Sequence, residues 1–274
     1  MTKGAVLLAA AALCAAQEPA TEPAGPVLVN TGKPMSVPFA CAENMLRANG
    51  LTCPASQPCP VYLDLGGVEA AGNLIFVAGH LHAESATLES VLLASSDGGK
   101  TWREAHERIS GAALDRVRFI DFENGWVSGQ HLRGFARDAF FLISNDGGRT
   151  WRERPVAGES RAGAIERFEF DSKSHGVAWI DRAPAVAGSE RWEQWETTDG
   201  GDPWTRVRVA AAPPETASRP AAWRIVPDAR SGAFNVERRD DGRWQPVAGF
   251  LIRAGECREA ELPLPPAEAA GEPK

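Results

Sequence analysis

One tyrosine, three methionines and five cysteines are all that this 274-residue chain contains of those types. No Cys-x-x-Cys pair occurs and no histidine neighbours a cysteine, which argues against the thiolate and imidazole sets that hold zinc. Basic residues are in deficit, 29 against 36 acidic ones, and the formal net charge of −7 makes nucleic acid an unfavourable partner. Long apolar runs are missing as well. The longest is the 13 residues from Gly4 to Ala16, against the roughly 20 that a membrane-crossing helix needs. No membrane span is expected.

That apolar run follows Lys3 and ends in small residues before Gln17-Glu-Pro19, the pattern of a secretory signal peptide over residues 1–16. Cys14 follows the bulky Leu13 where a lipid-attachment site has a small side chain, so a lipid anchor is not expected. Loss of Lys3 with the leader leaves 28 basic residues against 36 acidic ones and a net charge of −8. The mature chain is then periplasmic or secreted, and its cysteines meet an oxidising compartment. Cys41, Cys53, Cys59 and Cys257 are even in number, which favours two disulfides over free thiols. Three connectivities are open. Cys53 to Cys59 with Cys41 to Cys257 is preferred, because the first closes a local Pro-rich loop and the second ties the chain ends together. Residues 17–26 and 261–274 are rich in Pro, Ala and Glu and read as disordered tails around a domain over 27–260.

Internal repetition organises that domain. Ser95-Ser-Asp97-Gly-Gly99-Lys-Thr101-Trp102 recurs as Ser144-Asn-Asp146-Gly-Gly148-Arg-Thr150-Trp151 at the same spacing. A third copy, Thr197-Thr-Asp199-Gly-Gly201-Asp-Pro203-Trp204, has Pro in place of the second hydroxyl, and a fourth, Arg239-Asp-Asp241-Gly-Arg-Trp244, is shortened and degenerate. The four aspartates are 49, 53 and 42 residues apart. Between the marks, Val117-Arg-Phe-Ile-Asp121 with Gly125-Trp126 is echoed by Phe168-Glu-Phe-Asp171 with Gly176 and Trp179, an alternation that reads as strand, turn, strand. Further strands lie before and after each mark, giving four short antiparallel strands per unit. Such a unit is a propeller blade. The expected fold is all-β, a small β-propeller of four or five blades, either incomplete or closed by a disulfide. The blades fall near 61–107, 114–157, 164–210 and 221–253. Val27 to Phe39 and Phe250-Leu-Ile252 supply a partial fifth or the closure.

The repeated residues have structural reasons to be there. An Asp-Gly-Gly segment between strands makes a turn in which the carboxylate accepts backbone N–H groups and the glycines take positive φ. The tryptophan opens the outgoing strand and buries a large flat surface between sheets. Ser95, Asp97, Gly99, Thr101 and Trp102, their counterparts Ser144, Asp146, Gly148, Thr150 and Trp151, and Thr197, Asp199, Gly201 and Trp204 are therefore assigned to folding.

The pattern S-x-D-x-G-x-T-W resembles the Asp box, or bacterial neuraminidase repeat, of the sialidase-like superfamily, over roughly residues 60–250. With Gly125-Trp126 it is most similar to propellers of the photosystem II stability and assembly-factor type. The resemblance implies either a non-catalytic module that binds a protein or glycan partner, or a sialidase-superfamily glycosidase with atypical residues. A sialidase would need an arginine cluster, a late tyrosine nucleophile and a Phe-Arg-Ile-Pro segment before the first box. The one tyrosine is Tyr62, ahead of the first box, and Trp223-Arg-Ile-Val-Pro227 follows the third. No catalytic residue is assigned.

Two other patterns are set aside. Gly98-Gly99-Lys100-Thr101 is like the end of a phosphate-binding loop, but a Trp-led strand follows where a helix is required. His80-Leu-His82-Ala-Glu84 would put three ligands on one face of a strand and reads as a solvated face instead. No cofactor or metal is expected.

Overall fold

A computed structural model describes residues 25–133, 136–159, 162–182, 190–212 and 221–259. The signal peptide over 1–16, most of the 17–26 segment and the tail 261–274 lie outside the described residues.

The first sheet holds β2 (Cys59–Ala71), β3 (Leu74–His82), β4 (Thr87–Ser95) and β5 (Thr101–Glu104), with β1 (Leu28–Val29) on the β5 edge and β17 (Arg253–Cys257) on the β2 edge. A six-residue helix, α1 (Glu43–Ala48), lies between β1 and β2. The second sheet is β6 (Ala112–Phe119), β7 (Gly125–Arg133), β8 (Ala136–Ser144) and β9 (Arg152–Pro155), and the third β10 (Ala164–Phe170), β11 (Gly176–Asp181), β12 (Trp192–Thr197) and β13 (Thr205–Ala210). The fourth has three strands, β14 (Trp223–Asp228), β15 (Ala233–Asp240) and β16 (Arg243–Leu251). Apart from β1, which pairs antiparallel with β5, and β17, which pairs antiparallel with β2, the strands of each sheet pair antiparallel with their sequence neighbours. The molecule is an all-β propeller.

Covering on both faces explains why middle strands are apolar at successive positions rather than alternate ones. Along β3, Ile75 and Val77 join one buried cluster with Val236 and Phe250 of the fourth sheet, while Phe76 and Ala78 join another with Leu114 and Phe140 of the second. Along β8, Phe140 and Leu142 face the first sheet, and Phe141 and Ile143 face Ile180 and Trp195 of the third. Three apolar seams result, in the packing order fourth, first, second, third. Among the described residues no buried apolar cluster joins the third sheet to the fourth. The faces these two sheets turn away from their neighbours carry tryptophans under arginines: Arg208 lies over Trp179, Arg191 over Trp192 and Arg224 over Trp244.

The fourth copy of the repeated mark is corrected by the strand order. In the first three sheets the mark joins the third strand to the fourth, whereas Asp241-Gly242 joins β15 to β16, the second strand to the third. Both residues have positive φ, 45° and 78°. This is the two-residue Asp-Gly hairpin, whose twist matches the flanking strands. A short stretch of Asp, Gly and Trp serves either turn, and only the strand count separates them. Phe250 and Leu251, read as part of a possible extra strand, are the last two residues of β16, and Ile252 follows it.

The N-terminal segment fastens the fourth sheet to the first. Leu28 and Val29 pair with Trp102 and Thr101, Met35 pairs with Phe250, and the Asn30 amide donates to the carbonyls of Gly99 and Val247 at 2.9 and 2.8 Å. The disulfides join Cys41 to Cys257 and Cys53 to Cys59, the connectivity preferred from the sequence.

Candidate functional site

The repeated loops are occupied by their own bonds. The backbone N–H groups of Lys100 and Thr101 donate to Asp97 Oδ1, the Thr101 hydroxyl donates to Oδ2 at 2.7 Å, and Gly99 N–H donates to Ser95 Oγ. These bonds, those from Thr101 first, hold the Asp97 carboxyl down at about 2. Asp146 repeats the arrangement with Arg149, Thr150 and Ser144. Burial works against it there, and the bonds from Thr150 still lower its pKa. In the third loop Gly201 N–H reaches Thr197 Oγ1, but Pro203 has neither the N–H nor the hydroxyl to bind Asp199.

Each loop also presses on the sheet before it. A Cβ on Gly99, Gly148 or Gly201 would meet Val247 at 2.5 Å, Phe76 at 2.3 Å or Ile143 at 2.9 Å, so only glycine lets the loop approach that closely. Trp102 packs edge-on to Phe250, Trp151 edge-on to Phe76, and Trp204 stacks on Phe141. These bonds and ring contacts tie the repeated residues to their own turns and to the seams between sheets.

His80, His82 and Glu84, set aside in the sequence as a ligand set, do not share one strand face. β3 ends at His82 and Ala83 begins a turn, its N–H donating to the Ala86 carbonyl, so Glu84 leaves the strand face. The two imidazoles remain, 5.5 Å apart. Among the described residues no group of three His, Cys, Asp or Glu side chains could hold a metal ion.

A feature not anticipated from the sequence lies on one strand of each of the first three sheets. Each of β2, β6 and β10 has a bulge, between Leu65 and Gly67, Leu114 and Arg116, and Ile165 and Arg167. The inserted residues are Gly66, Asp115 and Glu166. Gly66 and Gly67 let β2 touch β6, for a Cβ on either would lie 2.7 or 2.6 Å from the Asp115 carbonyl. Burial raises the Asp115 carboxyl to about 6, with Arg116 opposing and Asp64 and Glu166 adding to the rise. Burial also holds His80 below its usual value, although Asp64 pulls it the other way. The signal was present as a second repeat: Leu114-Asp-Arg-Val-Arg-Phe119 has the same pattern of types as Ile165-Glu-Arg-Phe-Glu-Phe170.

A cleft of about 300 Å³ opens between the second and third sheets. It lies where β7 runs into β8 and β11 towards β12, at the opposite end of the sheets from the repeated loops. Val156 and Ile180, both of the seam between these two sheets, give it an apolar floor. Glu193 is buried in it and accepts from Arg182 at 2.8 Å, Arg206 at 3.0 Å and the Trp195 indole at 3.0 Å. A buried charge persists only when paired in this way. His131 Nε2 lies 2.8 Å from Glu153 at the rim.

No family model matches the chain, and no curated protein matches it. Among solved structures it is similar to YCF48 bound to D1 peptide, with 15% identity, 69% of this chain and 56% of that one covered, and a TM-score of 0.40. An α-L-arabinanase of Penicillium chrysogenum complexed with arabinobiose has 15% identity, coverage of 82% and 66%, and a TM-score of 0.38. YCF48 from Cyanidioschyzon merolae has 14% identity, coverage of 78% and 57%, and a TM-score of 0.35. The chain thus spans little more than half the length of either YCF48 structure. No helix among the described residues is long and apolar enough to cross a membrane.

Proposed function

We propose that this chain is an exported, non-catalytic propeller of the Asp-box type that binds a protein or glycan partner in the cleft between its second and third sheets. The observation that carries the reading is the cleft itself: an apolar floor beside a buried carboxylate held by Arg182, Arg206 and the Trp195 indole. A small number of preset polar groups over apolar surface is what a binding site requires. The Asp-box residues support it indirectly, since their bonds and packing account for them as turn and seam.

The test uses Gly158, which lines the cleft and has open space where a Cβ would go. Gly158→Trp adds a large ring at the cleft wall, where nothing stands within 4 Å of the new Cβ. Immobilised mature chain is to be presented to a glycan array and to cell-envelope protein. A ligand retained by the parent and lost by Gly158→Trp is the expected result, and retention by both overturns the assignment of the cleft.

A second reading, a glycoside hydrolase with atypical residues, is favoured by Asp115. A carboxyl raised to about 6 by burial, beside the carboxyl groups of Asp64 and Glu166, has the character of a general acid. Hydrolysis of any chromogenic glycoside by the parent, lost in Asp115→Asn, would establish it. A panel without turnover removes it.

A further inference from the structure

We infer that the two disulfides form an exchange pair: a dithiol reductant that opens Cys53–Cys59 frees Cys59 to take Cys257 from Cys41, which unfastens the segment before β2. The four cysteines meet in one place. Cys59, the first residue of β2, and Cys257, the last of β17, stand opposite one another in the antiparallel pairing of these strands. Opposite residues project their side chains from the same face of the sheet. Their Cα atoms lie about 4.5–5.5 Å apart, inside the range of about 4.4–6.8 Å that a disulfide spans. The bridges in place span 5.2 Å from Cys41 to Cys257 and 5.3 Å from Cys53 to Cys59. A Cys59–Cys257 bond thus closes a gap of the same size across strands that are already paired.

Burial sets the order of events. Cys53 and Cys257 are fully buried, whereas Cys59 is partly exposed, so a thiol from solvent reaches the local bridge at Cys59 and reaches Cys257 only through its neighbours. One thiolate of the reductant attacks Cys59 Sγ and displaces Cys53, and its second thiol then closes the reductant's own disulfide. Cys53 and Cys59 are left as thiols, two electrons having passed to their bridge. The next step needs no further electrons. The Cys59 thiolate attacks Cys257 Sγ, the Cys59–Cys257 bond forms as Cys41–Cys257 breaks, and Cys41 leaves as a thiolate that takes a proton from water. β2 and β17 become stapled to each other. Residues 41–58, with α1 among them, lose their covalent bond to β17 and keep hydrogen bonds such as those between Cys53 and Glu259.

Cys53→Ser supplies the Cys59 thiol without a reductant. Alkylation of the folded variant and peptide mapping by mass spectrometry should find Cys59 joined to Cys257 and Cys41 labelled. That labelling should exceed by at least about tenfold that of Cys53→Ser with Cys59→Ser, which has no thiol to exchange. Labelling no greater than in the double variant overturns the inference, and so does equal labelling in Cys59→Ser, where Cys53 is the free thiol. A cysteine variant can also pair differently while it folds, so the parent is tested as well. Folded parent with both bridges closed is given dithiothreitol, and samples are quenched in acid, which removes the attacking thiolates. A Cys59–Cys257 peptide that rises as the Cys53–Cys59 peptide falls is the expected course, with native-state proteolysis of the exchanged form cutting within residues 41–58 where the parent resists. Loss of each bridge straight to thiols, with no Cys59–Cys257 peptide at any time, overturns the exchange, and equal cutting of the two forms overturns the unfastening.

Discussion

At the scale of single residues the two most perturbed aspartates pull in opposite directions, and pH separates them. Asp115 has its carboxyl raised above the unfolded value of 3.8 to about 6, so folding favours its protonated form. Its contribution is fully favourable below the unfolded pKa and is lost as pH rises through about 6. Asp115→Asn, which keeps the shape without the charge, should stabilise the protein at pH 8 by up to about 3 kcal/mol and leave it nearly unchanged at pH 4. Denaturant unfolding at the two pH values measures it, and equal effects at both would show that Asp115 is not buried as described. Asp97 is the reverse case, held near 2 by the bonds from Thr101. The stability it contributes is present above 3.8 and lost as pH falls towards 2. Asp97→Asn should therefore flatten the acid limb of the stability profile between those values, and an unchanged limb would contradict it. Asp97 was legible in the sequence because everything it bonds lies within four residues of it. Asp115 was not, because its burial and its charged neighbours Asp64 and Glu166 come from strands some 50 residues away on either side.

Elements are held in register by the tryptophans at the seams. Trp151 is buried against Phe76 and Phe119 between the first and second sheets. Trp244 is only half-buried, with Arg224 at 4.3 Å and Arg239 at 5.9 Å over its ring. The two residues look alike in the sequence, each following an Asp-Gly pair, and the structure gives them different work. Trp151→Ala should cost about 3–5 kcal/mol, as expected of a buried aromatic leaving a cavity. Trp244→Ala should cost about 1 kcal/mol, the scale of an exposed cation–π pair. Thermal melts of the two variants compare them, and equal losses would mean that Asp241-Gly242 marks a packed seam after all. Strand positions and the first three loops follow from local alternation and turn chemistry. The role of the fourth loop does not, because it depends on how many strands precede it. The cleft was likewise invisible: Arg182, just past the end of β11, and Glu193 on β12 are 11 residues apart, and Arg206 is a further 13 along.

Across the whole molecule the first and last described strands, β1 and β17, belong to the sheet at one seam, the fourth sheet against the first, and several devices hold it. β1 and β17 lie on opposite edges of the first sheet, Asn30 bridges the Gly99 loop to Val247, and Cys41–Cys257 joins the incoming segment to the last strand. The disulfide spans 216 residues, and in the chain-entropy account a loop of that size limits the unfolded state by about 5 kcal/mol. Cys53–Cys59 spans six residues and limits it by about 2 kcal/mol on the same account. Replacing Cys41 and Cys257 together by serine should thus lower the unfolding midpoint more than replacing Cys53 and Cys59, with the pairing strands and Asn30 keeping the ends in place below the transition. Limited proteolysis under native conditions is the second readout. The first double variant should become sensitive in the segment before β2, where the lost bond leaves α1 and its flanks tethered only by short pairings, while the second should not. A larger loss from the six-residue bridge would show that native contacts, rather than the length of chain enclosed, determine what each disulfide contributes.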